Sequence, residues 1–151
     1  MKKAITATME DYLETIAQLC AENAVARVRD IARRLEVSTA SVVGALRTLK
    51  SCGLVEQERY GYIRLTAEGI AVANAVVRRH EILRCFLQDV LGLEPALAAA
   101  DACRLEHAVS AQTMTKLRDI AEFLTAAAHK DLDWPREFRD FCRMRRRSRR
   151  I

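Results

Sequence analysis

The stretch "RVRDIARRLEVSTASVVGALRTLKSCGL", residues 27–54, leaves few choices of fold. Val28, Ile31, Ala32 and Leu35 recur at helical spacing, and after a short break so do Val42, Ala45, Leu46 and Leu49. Ser38 stands where a second helix would need its N-cap, and Gly53 where it would need a left-handed stop. Next comes "LVEQERYGYIRLT", with two short alternating runs, Leu54–Arg59 and Tyr62–Leu65, around Tyr60-Gly61, which predicts a small β-hairpin. Helix, tight turn, helix and hairpin in that order predict a winged helix-turn-helix.

The remainder reads as helix. Upstream, "TMEDYLETIAQLCA" carries Met9, Tyr12, Leu13, Ile16 and Leu19 on one face, with Thr8 as the expected N-cap. Downstream, Thr66 caps a long helix that Gly92 ends, and Gly69 is tolerated near its start. Glu94-Pro95 opens a helix reaching about Val109, Ser110 caps another, and a last short helix follows Pro135. Half of the residues are apolar and only 5% are aromatic, which agrees with a mainly α fold. The expected organisation is a DNA-binding domain over residues 1–65, an all-helical domain over 66–142 and a basic tail over 143–151. Apolar positions such as Val90, Leu91, Leu97, Leu105, Val109, Leu117, Ile120 and Phe123 are numerous for so small a body. They suit a homodimer or packing within one chain.

Charge divides the chain in the same way. The net +5 owes six arginines to "RMRRRSRRI", which leaves the first 142 residues at about −1. Residues 1–65 total about +2 and residues 66–142 about −3, so attraction to nucleic acid is expected of the first domain and the tail. A solvated, disordered tail is the plainer reading of the arginine run. Five scattered cysteines without a CxxC pair suit a reducing cytoplasm. The start "MKKAITATMED" is no secretory signal, and no apolar run approaches the ~20 residues of a membrane span.

Within "DACRLEHAVS", Cys103, Glu106 and His107 stand at i, i+3 and i+4, one helical side carrying three kinds of metal-ligating group. Each has a plainer reading: a small core cysteine, and a solvated Glu-His edge. Asp11 and Glu14 form a second i, i+3 pair beside apolar Met9, Tyr12 and Leu13. Two carboxylates there repel unless a cation or basic group sits between them, or they form a solvated rim. His80, inside "VVRRHEIL", is a third contributor or a core-edge histidine. "HEILR" lacks the second histidine of HExxH, and neither a phosphate loop nor a nucleophile elbow is present, so no catalytic residue and no enzymatic activity are expected. On the second helix of the pair, Ser38, Thr39, Ser41, Arg47 and Thr48 are the groups expected to meet DNA, and Lys50, Arg59 and Arg64 are expected at phosphates. Capping is an equally good reading of Ser38.

Together, "MEDYLETI", "ARVRDIARRLEVSTASVVGALRTL", "GLV", "LTAEGIAVANAVVRRHEIL" and "DACRLEHAVS" resemble the metal-dependent repressors of the diphtheria toxin repressor and manganese transport regulator family, over about residues 8–125. The resemblance implies metal ligands at Asp11, Glu14, His80, Cys103, Glu106 and His107, a homodimer, and palindromic operator DNA as partner. Asp11 matches the manganese-responsive branch, whose iron-responsive relatives carry Met. Cys103 matches the iron-responsive branch, where manganese regulators carry Glu. Arg84 and Ala99 replace residues of the iron branch's ancillary site, and the SH3-like domain of longer relatives is not expected within these residues. The implied cofactor is a divalent transition metal, Mn2+ or Fe2+, with Zn2+ or Co2+ as competitors. The alternative is a metal-independent winged-helix regulator answering a small organic ligand.

Overall fold

A computed structural model describes residues 5–58, 61–128 and 134–148. The chain divides into two compact units, residues 1–77 and 78–151, with the division inside a helix.

In the first unit, α1 (Ala7–Asn23) buries Tyr12, Leu13, Ile16 and Leu19, the apolar stripe of the sequence. Its N-cap is Thr6, whose hydroxyl accepts from the Met9 N–H, and Thr8 lies inside the helix. Both threonines precede an apolar run, and the one with extended backbone takes the cap. α2 (Val28–Arg34) and α3 (Thr39–Ser51) are joined by a turn in which Glu36 takes φ +55°. The Val37 N–H reaches back to the Ala32 carbonyl at 3.0 Å, closing α2 with a Schellman turn that ordinarily calls for glycine. α3 begins at Ser38, whose Oγ accepts from the Ser41 N–H at 3.1 Å, and ends before Gly53 at φ +71°.

The wing follows. β1 (Val55–Gln57) pairs antiparallel with β2 (Ile63–Leu65) in the register Val55↔Leu65, Glu56↔Arg64 and Gln57↔Ile63. Ala26 adds a bridge on the far side of Ile63, with N–H to O distances of 3.2 and 2.9 Å. The α1–α2 loop thus completes a third, one-residue edge that the hairpin pattern does not reveal. Ile31, Val42, Leu49 and Ile63 meet α1 in one fully buried core.

α4 (Ala67–Cys85) starts hard against this core. The Thr66 hydroxyl accepts from the Gly69 N–H at 3.0 Å and donates to the Gly53 carbonyl at 2.7 Å, tying the helix start to the end of α3. A Cβ at Gly69 would fall on the carbonyl oxygen of Leu54. Gly69 is therefore required by close backbone approach, a stronger role than toleration.

In the second unit, α4 passes at Cys85 into a π-helical turn, Phe86–Val90, and Gly92 at φ +69° ends it. α5 (Pro95–Leu105) has Pro95 in its first turn. α6 (Ala111–Ala128) is capped by Ser110 through the Thr113 N–H at 3.2 Å, and α7 spans Trp134–Ser148. α5 stops at Leu105, short of Val109, and α7 carries the start of the arginine run on a helix where a disordered tail was the plainer expectation. Leu83, Leu87, Ala98, Ala102 and Met114 form a small core, while Leu97 (49% exposed), Ile120 (46%) and Phe123 (69%) lie outside it. These exposed side chains are among the apolar positions noted in the sequence.

Candidate metal centre and DNA-reading face

The second unit holds four of the six proposed ligands. His80 projects from the middle of α4, and Glu106 follows the last residue of α5 as its C-cap. The Glu106 backbone is still helical, φ −58° and ψ −27°, so the residue keeps the direction a fourth turn would have given it. Its side chain is buried, and the residue as a whole is 1% exposed. One carboxylate oxygen, Oε2, lies 2.8 Å from His80 Nδ1, and the other, Oε1, lies 3.3 Å from His107 Nε2. The structure thus brings His80, Glu106 and His107 together, with one buried carboxylate between two imidazoles. Cys103, one turn earlier on α5, is exposed where Glu106 is buried.

A carboxylate taken out of water costs several kcal/mol unless cationic or hydrogen-bonding partners compensate. Imidazole compensates in part, because a ring N–H can donate a hydrogen bond to the carboxylate. Glu106 offers each imidazole one carboxylate oxygen, and carboxylate with imidazole is a donor pairing that suits divalent cations such as Mn2+, Fe2+ or Zn2+. The residues present therefore fit a metal of that class, and the thiol of Cys103 would soften the set if it joined.

The neighbouring positions on α4 are committed elsewhere. Arg84 forms a two-pronged ion pair with Glu81, at 2.6 and 3.0 Å, and donates to Gln88 Oε1 at 3.0 Å. The guanidinium holds the Glu81 carboxyl down to about 2, against its ordinary 4.5. Burial pushes the neighbouring Cys85 thiol up, and Glu81 adds to that effect.

In the first unit, Asp11 and Glu14 sit half-buried on α1, flanking buried Tyr12 and Leu13. Glu14 Oε1 accepts from Gln18 Nε2 at 3.3 Å. The pair lies on the α1 rim, between core and solvent.

The candidate DNA-reading residues of the same unit are laid out along α3. Ser38, Thr39, Ser41, Arg47, Thr48 and Lys50 are all exposed, opposite buried Val42, Ala45, Leu46 and Leu49. Some hydroxyl capacity is already used: Ser38 caps the helix, and Thr48 Oγ1 donates to the Gly44 carbonyl at 3.3 Å. Val43, 46% exposed on the same side, was not singled out from sequence; an apolar group there suits a thymine methyl. In the wing Arg64 pairs with Glu58 at 3.1 Å, and Arg59 lies outside the described residues. Arg27 donates to the Tyr62 hydroxyl at 3.2 Å with its guanidinium 5.1 Å from the ring centroid. That contact across the wing joins residues 35 positions apart, which no local pattern marks.

Residues 4–63 match the family description "Iron dependent repressor, N-terminal DNA binding domain". Residues 66–135 match "Iron dependent repressor, metal binding and dimerisation domain". The chain belongs to the iron-dependent repressor family. As a member it is a DNA-binding transcriptional regulator of a metal-dependent repressor family, not an enzyme. Its relatives include the HTH-type transcriptional regulator MntR of Shouchella clausii, 35% identical over 78% of this chain and 82% of that one. The transcriptional regulator MntR of Escherichia coli O157:H7 is 40% identical over 73% and 70%. Among solved structures, a manganese-dependent transcriptional repressor in complex with manganese is 32% identical, with a TM-score of 0.69 over 76% of this chain and 53% of its own. The IdeR of T. acidophilum gives 27% and 0.68, over 78% and 54%. This repressor spans about half the length of those solved chains. No helix among its described residues is long and apolar enough to cross a membrane.

Proposed function

We propose that this chain represses transcription in response to a divalent transition metal, Mn2+ or Fe2+ foremost, and serves transition-metal homeostasis in the cytoplasm. The observation that carries the reading is the buried Glu106 carboxylate between His80 and His107, inside the region that matches a metal-binding domain. In this reading Asp11 and Glu14 from α1 join His80, Cys103, Glu106 and His107 in holding the metal. When bound, the cation supplies the positive charge that lets carboxylates from both units share one centre.

The remaining residues do the reading of DNA. Arg47 and the hydroxyls of α3 meet base edges and phosphates, and Lys50, Arg59 and Arg64 hold the backbone. A homodimer would present two such helices about 34 Å or a multiple apart, so the operator is a palindrome. Coupling of this kind is typically ~1–3 kcal/mol, or about 5–150-fold in affinity, and by linkage the operator must tighten metal binding equally. Binding to promoter duplexes, measured with Mn2+, Fe2+, Zn2+ or a chelator, tests the reading. Metal should raise affinity at least several-fold. Equal affinity under chelation would favour the metal-independent regulator answering an organic ligand.

A further inference from the structure

α7 carries a cationic face that neither the metal centre nor α3 uses. At about 100° per residue, Arg136, Arg139, Arg143, Arg146 and Arg147 fall within one arc of about 100°. Over α7 that row extends about 16 Å. Trp134, Phe138, Phe141 and Cys142 fall in a separate arc, which makes α7 strongly two-sided. Arg136, Arg139 and Arg143 are exposed. Arg143 approaches Asp140 only at 3.8 Å, both exposed, and the sequence from residue 141 to the end offers no acid.

The other face is engaged by the fold. α7 packs on α6 and on the π-helical turn, and Phe138 and Cys142 are half-buried there. The Arg139 stem runs beside Gly92, where a Cβ would meet its methylenes at 3.5 Å. An amphipathic helix that lies on a membrane needs its apolar face for lipid. Here that face is partly spent on the protein, while Arg136, Arg139 and Arg143 remain exposed.

We propose that the arginine face of α7 is a second DNA-contacting surface, one that binds duplex phosphates without regard to base sequence. It deepens the repressor reading and rests on it for the choice of DNA as the polyanion. A row of about 16 Å spans two to three phosphates on one strand, and planar guanidinium groups match phosphate oxygens bidentately. This surface supplies affinity and salt dependence; α3 supplies sequence preference.

The test uses the full-length chain and its triple variant Arg143→Gln, Arg146→Gln and Arg147→Gln, with the corresponding triple Lys variant as a charge-preserving control. Helicity by circular dichroism checks that α7 persists. Binding to operator and to non-operator duplex is measured from about 50 to 200 mM salt at saturating Mn2+. The slope of log affinity against log salt should flatten by up to about 0.9 per lost contact. The loss of affinity across that salt range then shrinks by up to about 40-fold for three contacts, equally on both duplexes, and Lys restores it. An unchanged slope overturns the proposal, as does a Gln variant that loses binding only to vesicles rich in anionic phospholipid. If metal fails to stimulate wild-type binding while the Gln variant still flattens the slope, the repressor reading falls and the α7 surface stands.

Discussion

Replacing Gly69 with Ala separates two physical arguments that predict opposite signs. Gly69 lies three residues into α4, where helix propensity alone favours Ala by about 1 kcal/mol. The added Cβ, however, would land on the Leu54 carbonyl oxygen, and that oxygen is backbone, fixed by the Thr66 N–H at 3.1 Å. Forcing a methyl into such a contact costs ~1–3 kcal/mol by analogy with overpacked cores. Pushing the α4 start outward instead strains the Thr66 bridge, with hydrogen bonds of 2.7 and 3.0 Å worth about 1 kcal/mol each. After the propensity gain is set against either loss, Gly69→Ala should destabilise the first unit by roughly 1–2 kcal/mol. Urea unfolding followed by far-ultraviolet circular dichroism in chelator-treated buffer measures it, with the midpoint falling at unchanged slope. A variant as stable as the parent, or more stable by the propensity difference, would refute the close-approach argument.

Arg47→Ala should weaken operator binding while Mn2+ affinity of the free protein, read by titration calorimetry, stays the same; a parallel fall in both would assign Arg47 a folding role. Glu81 is held ionised by Arg84, with its pKa near 2. Its contribution to stability is therefore complete above pH about 4.5 and disappears as pH falls towards about 2. Because Glu81 is 55% exposed, the contribution is below ~1 kcal/mol. Glu81→Gln should lower stability slightly and evenly above pH about 4.5 and remove a small part of the acid destabilisation below it, and an unchanged acid profile would contradict the ion-pair cause. Cys103→Glu should shift the metal ranking towards Mn2+ in DNA-binding titrations, and an unaltered ranking would remove Cys103 from the ligand set.

Local chemistry made much of this fold legible in the sequence. Ser38, Gly53 and Thr66 mark their helix ends because capping depends on a few neighbouring residues. The stripe from Tyr12 to Leu19 is legible because burial follows helical period. Gly69 was not legible, since its role depends on Leu54, which arrives by tertiary packing. Nor was the bridge from Ala26 to Ile63, where a single residue leaves no pattern. Glu36 adopts a left-handed turn without the glycine that would announce it. At the candidate site, spacing alone proposed Cys103, Glu106 and His107 as one group. Only the fold places His80 beside Glu106 and buries that carboxylate while leaving Cys103 exposed.

The central claim, that α1 carboxylates and the His80–Glu106–His107 group hold one metal, is tested most directly by a double-mutant cycle on metal affinity. Mn2+ binding is titrated calorimetrically into the parent chain, Asp11→Ala, Glu106→Gln and the double variant. Ligands of a single centre are coupled, so the double variant should lose little more affinity than the worse single one. Losses that add, with each single variant retaining independent Mn2+ binding, would contradict a shared centre.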